Sequence, residues 1–294
     1  MNKPLEGVYV ALTTPFAGDE IDPRKLRANV RRLNETALAG YLVLGSTGEC
    51  VSLTDEESLE LVQVVLEAAA PDKKILVGTA RESTKATIEF TGRLPVHGIE
   101  AVLVRPPSYF KSKMTCEALK AHYLAVAEAS RYPVLIYNMP QNTGISLDPR
   151  LVIDLATHPN IAGLKESGGS LSFLAEVVRE VRGGFHYFLG SGQVVYPGLE
   201  MGACGAILAV ANAVPEMCAE LFRLFKSGAK DEARGLQLDL VPLNKVLVEI
   251  YGIAGLKCAQ DLRGFYGGPT RLPLLSVDDK GRAEIAAVLK EAGY

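Results

Sequence analysis

Short apolar or β-branched runs recur roughly every 30 residues along the 294-residue chain, each followed by a longer stretch with helical apolar spacing. The runs that predict strands are eight: Gly7 to Thr13, Tyr41 to Leu44, Lys74 to Gly78, Ala101 to Arg105, Val134 to Tyr137, Ile161 to Lys165, His186 to Gly190 and Gly205 to Leu208. Helix starts are marked between them. Asp22-Pro23 and Asp148-Pro149 each place a capping carboxylate before a proline at the first helical position, and Thr54 with Glu57 has the spacing of a capping box. Eight strand–helix units with no glycine-rich dinucleotide fingerprint after the first strand predict a closed (β/α)8 barrel, an α/β fold, rather than a doubly wound open sheet. The eighth unit ends near Gly228, so residues 1–228 are read as the barrel. Apolar spacing in Glu232 to Tyr251 and Ala254 to Tyr266 predicts helices, and no proline- or serine-rich linker precedes them. Residues 229–294 are therefore read as a helical extension packed on the barrel.

Composition narrows the function classes. A formal net charge of -3 leaves no basic footprint for nucleic acid or an anionic membrane. No run has the roughly 20 uninterrupted apolar residues of a membrane helix, and Met1 to Gly7 lacks a signal-peptide core, so a cytosolic protein is expected. Cys50, Cys116, Cys204, Cys218 and Cys258 are scattered and never spaced as Cys-x-x-Cys, which predicts reduced thiols. His97, His122, His158 and His186 show no two-histidine helical spacing, so metal-free chemistry is expected and the histidines read as surface or satisfied structural residues.

In such a barrel the chemistry sits at the C-terminal ends of the strands. Lys165 closes the run Ile161 to Lys165 and enters Glu166-Ser167-Gly168-Gly169, where a Schiff-base lysine would stand. An amine in a dry pocket loses part of its preference for the charged form, and neutral lysine attacks ketones. Alternation puts Ile161, Gly163 and Lys165 on one face and Pro133, Leu135 and Tyr137 on one face of the preceding strand. Parallel neighbours lie about 4.8 Å apart, so the Tyr137 phenol and the amine can exchange protons. Gly163 would leave room beneath the lysine stem, and Glu166 would point to the other face and meet a surface cation. The turn Gly45-Ser46-Thr47-Gly48 offers backbone N–H groups and two hydroxyls to a carboxylate. Gly190-Ser191-Gly192 is a weaker phosphate cradle, having no basic residue. Arg105, at the end of the fourth strand, either meets a substrate carboxylate or braces a neighbouring loop.

Gly45 to Glu49, Tyr137-Asn138-Met139-Pro140-Gln141-Asn142-Thr143-Gly144 and Gly163-Leu164-Lys165-Glu166, in this order and spacing, resemble the dihydrodipicolinate synthase and N-acetylneuraminate lyase family over essentially the whole chain. The resemblance implies a class I Schiff-base lyase on a barrel with C-terminal helices, usually tetrameric, needing no cofactor and taking a small keto acid as its partner. Lys165 would form the imine, Tyr137 would donate and accept the proton, and Thr47 would contact the keto-acid carboxylate. Ser46 and Tyr109 would extend the proton relay, with Tyr109 reaching into a neighbouring subunit, and Ile207 would contact bound pyruvate through its backbone.

Where the synthases commonly carry arginine before the Thr-Gly of the tyrosine motif, this chain has Asn142, and an amide cannot replace a bidentate cationic fork. That difference, with Lys165 to Gly169, Ile253 to Lys257 and Tyr266 to Pro269, makes the chain look most like 4-hydroxy-2-oxoglutarate aldolases. Ser167, Gly168 and Asn142 would then bind the second half of the substrate. Thr47 stands where that subgroup can carry asparagine. The expected reaction is cleavage of 4-hydroxy-2-oxoglutarate to pyruvate and glyoxylate. The alternatives are 4-hydroxy-tetrahydrodipicolinate synthase, a sialic-acid or 2-keto-3-deoxy-sugar-acid aldolase, and a non-catalytic keto-acid-binding barrel.

Overall fold

Short runs bounded by turn residues become parallel strands when helices can cover one face and side chains fill the other. Eight such strands form: β1 (Gly7–Ala11), β2 (Gly40–Val43), β3 (Lys74–Gly78), β4 (Ala101–Val104), β5 (Val134–Asn138), β6 (Ile161–Glu166), β7 (His186–Leu189) and β8 (Gly205–Leu208). They pair in chain order and close as β8 meets β1, a (β/α)8 barrel. This is a computed structural model, and it describes residues 5–181 and 183–294.

Alternation along the strands sorts the core in two. Tyr9, Leu42, Leu76, Leu103, Leu135, Tyr137, Phe188 and Ile207 fill the barrel interior. Their chain neighbours, such as Val10, Val43, Val77, Val104, Ile136 and Leu164, face the surrounding helices. β6 breaks the alternation once. Val134 pairs with Ile161 but Leu135 pairs with Gly163, so one extra residue is accommodated at the start of β6. Ile161 therefore joins the outer core and Ala162 packs inward, which corrects the expectation that Ile161 shares a face with Lys165. Beyond this bulge Tyr137 and Lys165 are directly paired.

The predicted caps form. Asp22 accepts from the amides of Arg24 and Lys25, Asp148 accepts from that of Arg150, and Thr54 and Glu57 cap each other's amides. A hairpin of Phe16–Ala17 with Glu20–Ile21 follows β1, too short to show in the sequence pattern. The helix Pro215–Ser227 ends at Gly228, whose φ of 85° is the left-handed cap that glycine tolerates. Beyond it, helix Lys230–Asn244 continues as a π-helix over Lys245–Ile250, and helices Gly252–Leu262 and Asp279–Glu291 complete the chain. Leu240, Leu243, Leu247, Leu256 and Ile285 belong to the same buried cluster as the outward faces of the strands. No helix among the described residues is long and apolar enough to cross a membrane, and all five cysteines are free.

One histidine departs from the expected satisfied role. His122 is buried on helix Cys116–Ala129; its Nδ1 meets the Thr84 hydroxyl at 2.9 Å, but its Nε2 is buried with no hydrogen-bond partner among the described residues. Burial pushes the imidazole down to about 4 from its ordinary value. As pH falls through about 6.5 the unfolded chain takes up a proton that the folded ring refuses until about pH 4, so the unfolded state gains across that window. Stability present above pH 6.5 should be lost by roughly 3 kcal/mol on reaching pH 4. Denaturant unfolding at both pH values should show a smaller loss for His122→Gln; parallel losses in the two proteins would remove His122 from the account.

Candidate active site

The pairing of β5 with β6 puts Tyr137 and Lys165 side by side at the C-terminal mouth of the barrel. Each is only 4% exposed. The Lys165 Nζ donates to the Tyr137 hydroxyl at 3.4 Å and lies 4.4 Å from the centre of its ring. The amine is thus surrounded by aromatic carbon and a hydroxyl able to move a proton.

Gly163 serves a different purpose from the one expected. A Cβ there would lie 2.2 Å from the His186 carbonyl oxygen, so the glycine lets β7 approach β6. Gly190 is constrained by the site itself, because a Cβ there would lie 1.9 Å from the Ser167 Oγ. Among the described residues the Glu166 carboxylate meets no surface cation. It is buried and turns back on its own loop, accepting from the amides of Gly168 at 2.5 Å and Gly169 at 2.9 Å and from the Asn138 side chain at 3.3 Å. Burial pushes this carboxyl up while those backbone amides pull the other way. Alternation alone missed the role: two glycines let the chain curl over the carboxylate, and Glu166 fixes the path of Ser167 and Gly168.

After β2 the chain turns sharply. Leu44 and Glu49 both have left-handed backbone, at φ 59° and 54°, and Ser46–Gly48 forms a single 3₁₀ turn between them. Leu44 can do so because Gly78 on β3 has no side chain; a Cβ there would lie 2.1 Å from the Leu44 oxygen. The amides of Gly48 and Glu49 close on the carbonyls of Gly45 and Ser46. Ser46 and Thr47 reach the wall of a cavity of about 150 Å³ that also includes Tyr137, Asn142, Lys165 and Ser167. Through Asn142 and Ser167 this cavity continues into a wider cleft of about 610 Å³, where Gly168, Gln193, Asn244 and Glu249 lie.

Seven of the nine expected residues, Ser46, Thr47, Tyr137, Asn142, Lys165, Ser167 and Gly168, therefore meet in one continuous cleft. Tyr109 does not join them within this chain. It is 80% exposed on the loop after β4, and its amide donates to Glu82 at 2.9 Å. Arg105 braces this loop: it donates to Glu82 at 2.7 Å, and Glu82 also holds the amide of Ser108. Ile207 lies in the barrel interior with Tyr137, and it is Ala209, just past β8, that reaches the cavity wall. At Gly190-Ser191-Gly192, expected as a weaker phosphate cradle, two of the amides an anion would use are committed to protein: Gly190 donates to the Glu166 carbonyl at 2.6 Å and Gly192 to the Asn244 side chain at 3.2 Å.

Sequence reasoning missed the far wall. Val248, from the π-helix, and Gly252, Ile253 and Leu256, from the helix after it, close the cavity opposite the strands. In the sequence the stretch Ile253 to Lys257 stands out only as a motif, with no contact attached to it.

The profile of the Dihydrodipicolinate synthetase family matches residues 4–292. A 4-hydroxy-tetrahydrodipicolinate synthase of Methanosphaerula palustris is 33% identical over 288 residues, covering 97% of this chain and 98% of its own. The counterpart from Geotalea uraniireducens is also 33% identical, over 98% and 99% of the two chains. Among solved structures, the 4-hydroxy-tetrahydrodipicolinate synthase of Methylacidiphilum fumariolicum SolV superposes with a TM-score of 0.92 at 30% identity, covering 98% of this chain and 96% of its own. The chloride-inhibited dihydrodipicolinate synthase of Acinetobacter baumannii, complexed with pyruvate, reaches 0.93 at 28% identity over 98% and 99%. The chain belongs to the dihydrodipicolinate synthetase family and is an enzyme of the class I, pyruvate-dependent carbon–carbon lyase type.

Proposed function

We propose that Lys165 forms an imine with the 2-oxo group of a keto acid and that the enzyme makes or breaks the bond between pyruvate C3 and an aldehyde carbon. The observation that carries this reading is the buried Lys165 amine 3.4 Å from the Tyr137 hydroxyl at the barrel mouth. In the cleavage direction the amine adds to C2 of a 4-hydroxy-2-oxo acid and water leaves. Tyr137 takes the proton of the 4-hydroxyl, the C3–C4 bond breaks, and its electron pair passes into the iminium to give an enamine as the aldehyde departs. Protonation at C3 and hydrolysis then release pyruvate and restore the amine. Thr47 holds the keto-acid carboxylate, with the backbone near Ile207 beneath it, Ser46 extends the proton relay from Tyr137, and Asn142, Ser167 and Gly168 meet the aldehyde half.

For the aldehyde, likeness to 4-hydroxy-tetrahydrodipicolinate synthases favours aspartate semialdehyde, the partner of pyruvate in that reaction. A second reading, cleavage of 4-hydroxy-2-oxoglutarate to pyruvate and glyoxylate, rests on Asn142 in the cleft where those synthases commonly carry arginine. Purified protein assayed in parallel for consumption of pyruvate with aspartate semialdehyde and for pyruvate release from 4-hydroxy-2-oxoglutarate decides between them by the ratio of kcat/KM. No turnover of either, with keto acid bound, would favour a binding module and defeat both.

The exposure of Tyr109, Phe110 and Val51, at 80%, 69% and 76%, supports a homotetramer in which Tyr109 completes a neighbour's proton relay. Sedimentation of a monomer at assay concentrations would overturn that assignment.

A further inference from the structure

A buried ion pair lies behind the cavity and takes no part in the reaction just described. The side chain of Glu49 is fully buried, and its Oε1 lies 2.6 Å from the Nζ of Lys257, which is itself 1% exposed. The other oxygen, Oε2, accepts from the Arg271 amide at 2.9 Å. Lys257 also donates to the Pro269 carbonyl at 2.7 Å and sits 4.4 Å from the centre of the Phe16 ring. Arg271 is fixed in turn by two hydrogen bonds to Glu57, at 2.6 and 2.9 Å, and by one to the Ser52 carbonyl at 2.8 Å.

Stability does not account for such an arrangement. Taking two charges out of water costs several kcal/mol per ion, and apolar replacements of similar volume are often as stable or more so. A buried pair is better explained by the geometry it enforces, and here each end sits on an element that lines the cavity. Glu49 is the last residue of the Ser46–Thr47 turn, in left-handed backbone that a non-glycine residue adopts at a cost. Lys257 follows Leu256, which with Gly252 and Ile253 forms the opposite wall. The contact therefore spans from the turn to the helix that faces it. A second polar contact runs beside it, the Thr13 hydroxyl donating to Gln260 of the same helix at 2.7 Å.

We propose that Glu49 and Lys257 are positioning residues that set the Ser46–Thr47 turn against the helix Gly252–Leu262, and so hold the keto-acid carboxylate site in register with Lys165. The proposal rests on the Schiff-base reading above. The pair touches no substrate and acts through the turn. Removing it should weaken keto-acid binding while the trapping rate at saturation changes less, since an interaction lost equally from ground and transition states raises KM more than it lowers kcat.

The test is borohydride trapping of the full chain over a range of pyruvate concentrations, with thermal unfolding in parallel, for wild type, Glu49→Gln and the double variant Glu49→Gln/Lys257→Met. Glu49→Gln leaves the Lys257 ammonium buried against an amide and should lower Tm. The double variant removes that stranded charge and should regain Tm. In both, half-saturating pyruvate should rise by on the order of tenfold, the scale of one lost charge-assisted contact, and amide exchange at Gly48 and Glu49 should quicken. Should Glu49→Gln fail to fold, Glu49→Asp, which keeps the charge but shortens its reach, provides the same readout. A double variant with wild-type half-saturation would overturn the proposal and leave the pair a fitting of the fold. A wild-type chain never trapped by pyruvate would overturn the Schiff-base reading and this proposal with it.

Discussion

Lys165→Ala should lose turnover by on the order of 10⁵-fold, the scale seen when a covalent nucleophile is deleted, and should no longer be reduced onto pyruvate by borohydride. Hydroxyls at Ser46, Thr47 and Tyr137 can still bind a keto acid in that variant, but none can form the iminium that drains electrons from the breaking bond. The fold should survive. Lys165 hydrogen bonds to a neutral hydroxyl rather than a buried carboxylate, so its loss strands no charge. β6 meanwhile keeps its backbone pairing with β5 and β7. Stability should stay within about 1 kcal/mol, a Tm change of about 2–4 °C in a domain of this size. Peptide mapping of the reduced wild-type adduct should place the label on Lys165. The chain has a second deeply buried lysine, Lys257, closed off behind the cavity by Glu49 and Phe16. Label on that residue, or undiminished label on Lys165→Ala, would sink the assignment.

The parts of this site legible in the sequence are those that obey local rules. Strands buried on both faces must be apolar runs, so the pattern bounds β3 and β8 to the residue and the others within two. Tyr137 and Lys165 can be paired from sequence because each closes an apolar run, one residue short of its strand's end, and the strands are neighbours in a barrel wound in chain order. The bulge that places Ile161 outside left no mark, since Ile161-Ala162 carries neither glycine nor proline. Glu166 was misplaced because the rule of alternation stops at the strand end, where two glycines let the loop wrap its carboxylate. Glu49 and Lys257 lie in motifs noticed separately, and nothing local says that they meet. The wall from Val248 to Leu256 was hidden for the same reason: it is apolar and helical in pattern, and only the docking of the C-terminal helices turns it towards Lys165.

Tyr137→Phe should separate the two halves of the chemistry. The change removes one oxygen and keeps the ring, which packs in the barrel interior with Leu135, Phe188 and Ile207 and lies 4.4 Å from the lysine nitrogen. Packing and the amine are left in place, so borohydride should still trap pyruvate on Lys165, though more slowly. Carbon–carbon cleavage or condensation should fall roughly 10² to 10³-fold, the range for a general acid–base group, because the 4-hydroxyl proton must leave as the bond breaks. Ser46 shares the cavity wall with Tyr137 and offers a substitute hydroxyl, so Tyr137→Phe/Ser46→Ala should fall further than the single variant. If Tyr137→Phe keeps turnover within threefold of wild type, the phenol is a packing residue whose hydroxyl only happens to face the amine, and the proton must travel by another route. If instead it abolishes trapping altogether, the hydroxyl is needed to form the imine, and its part in breaking the bond must be measured with the imine already in place.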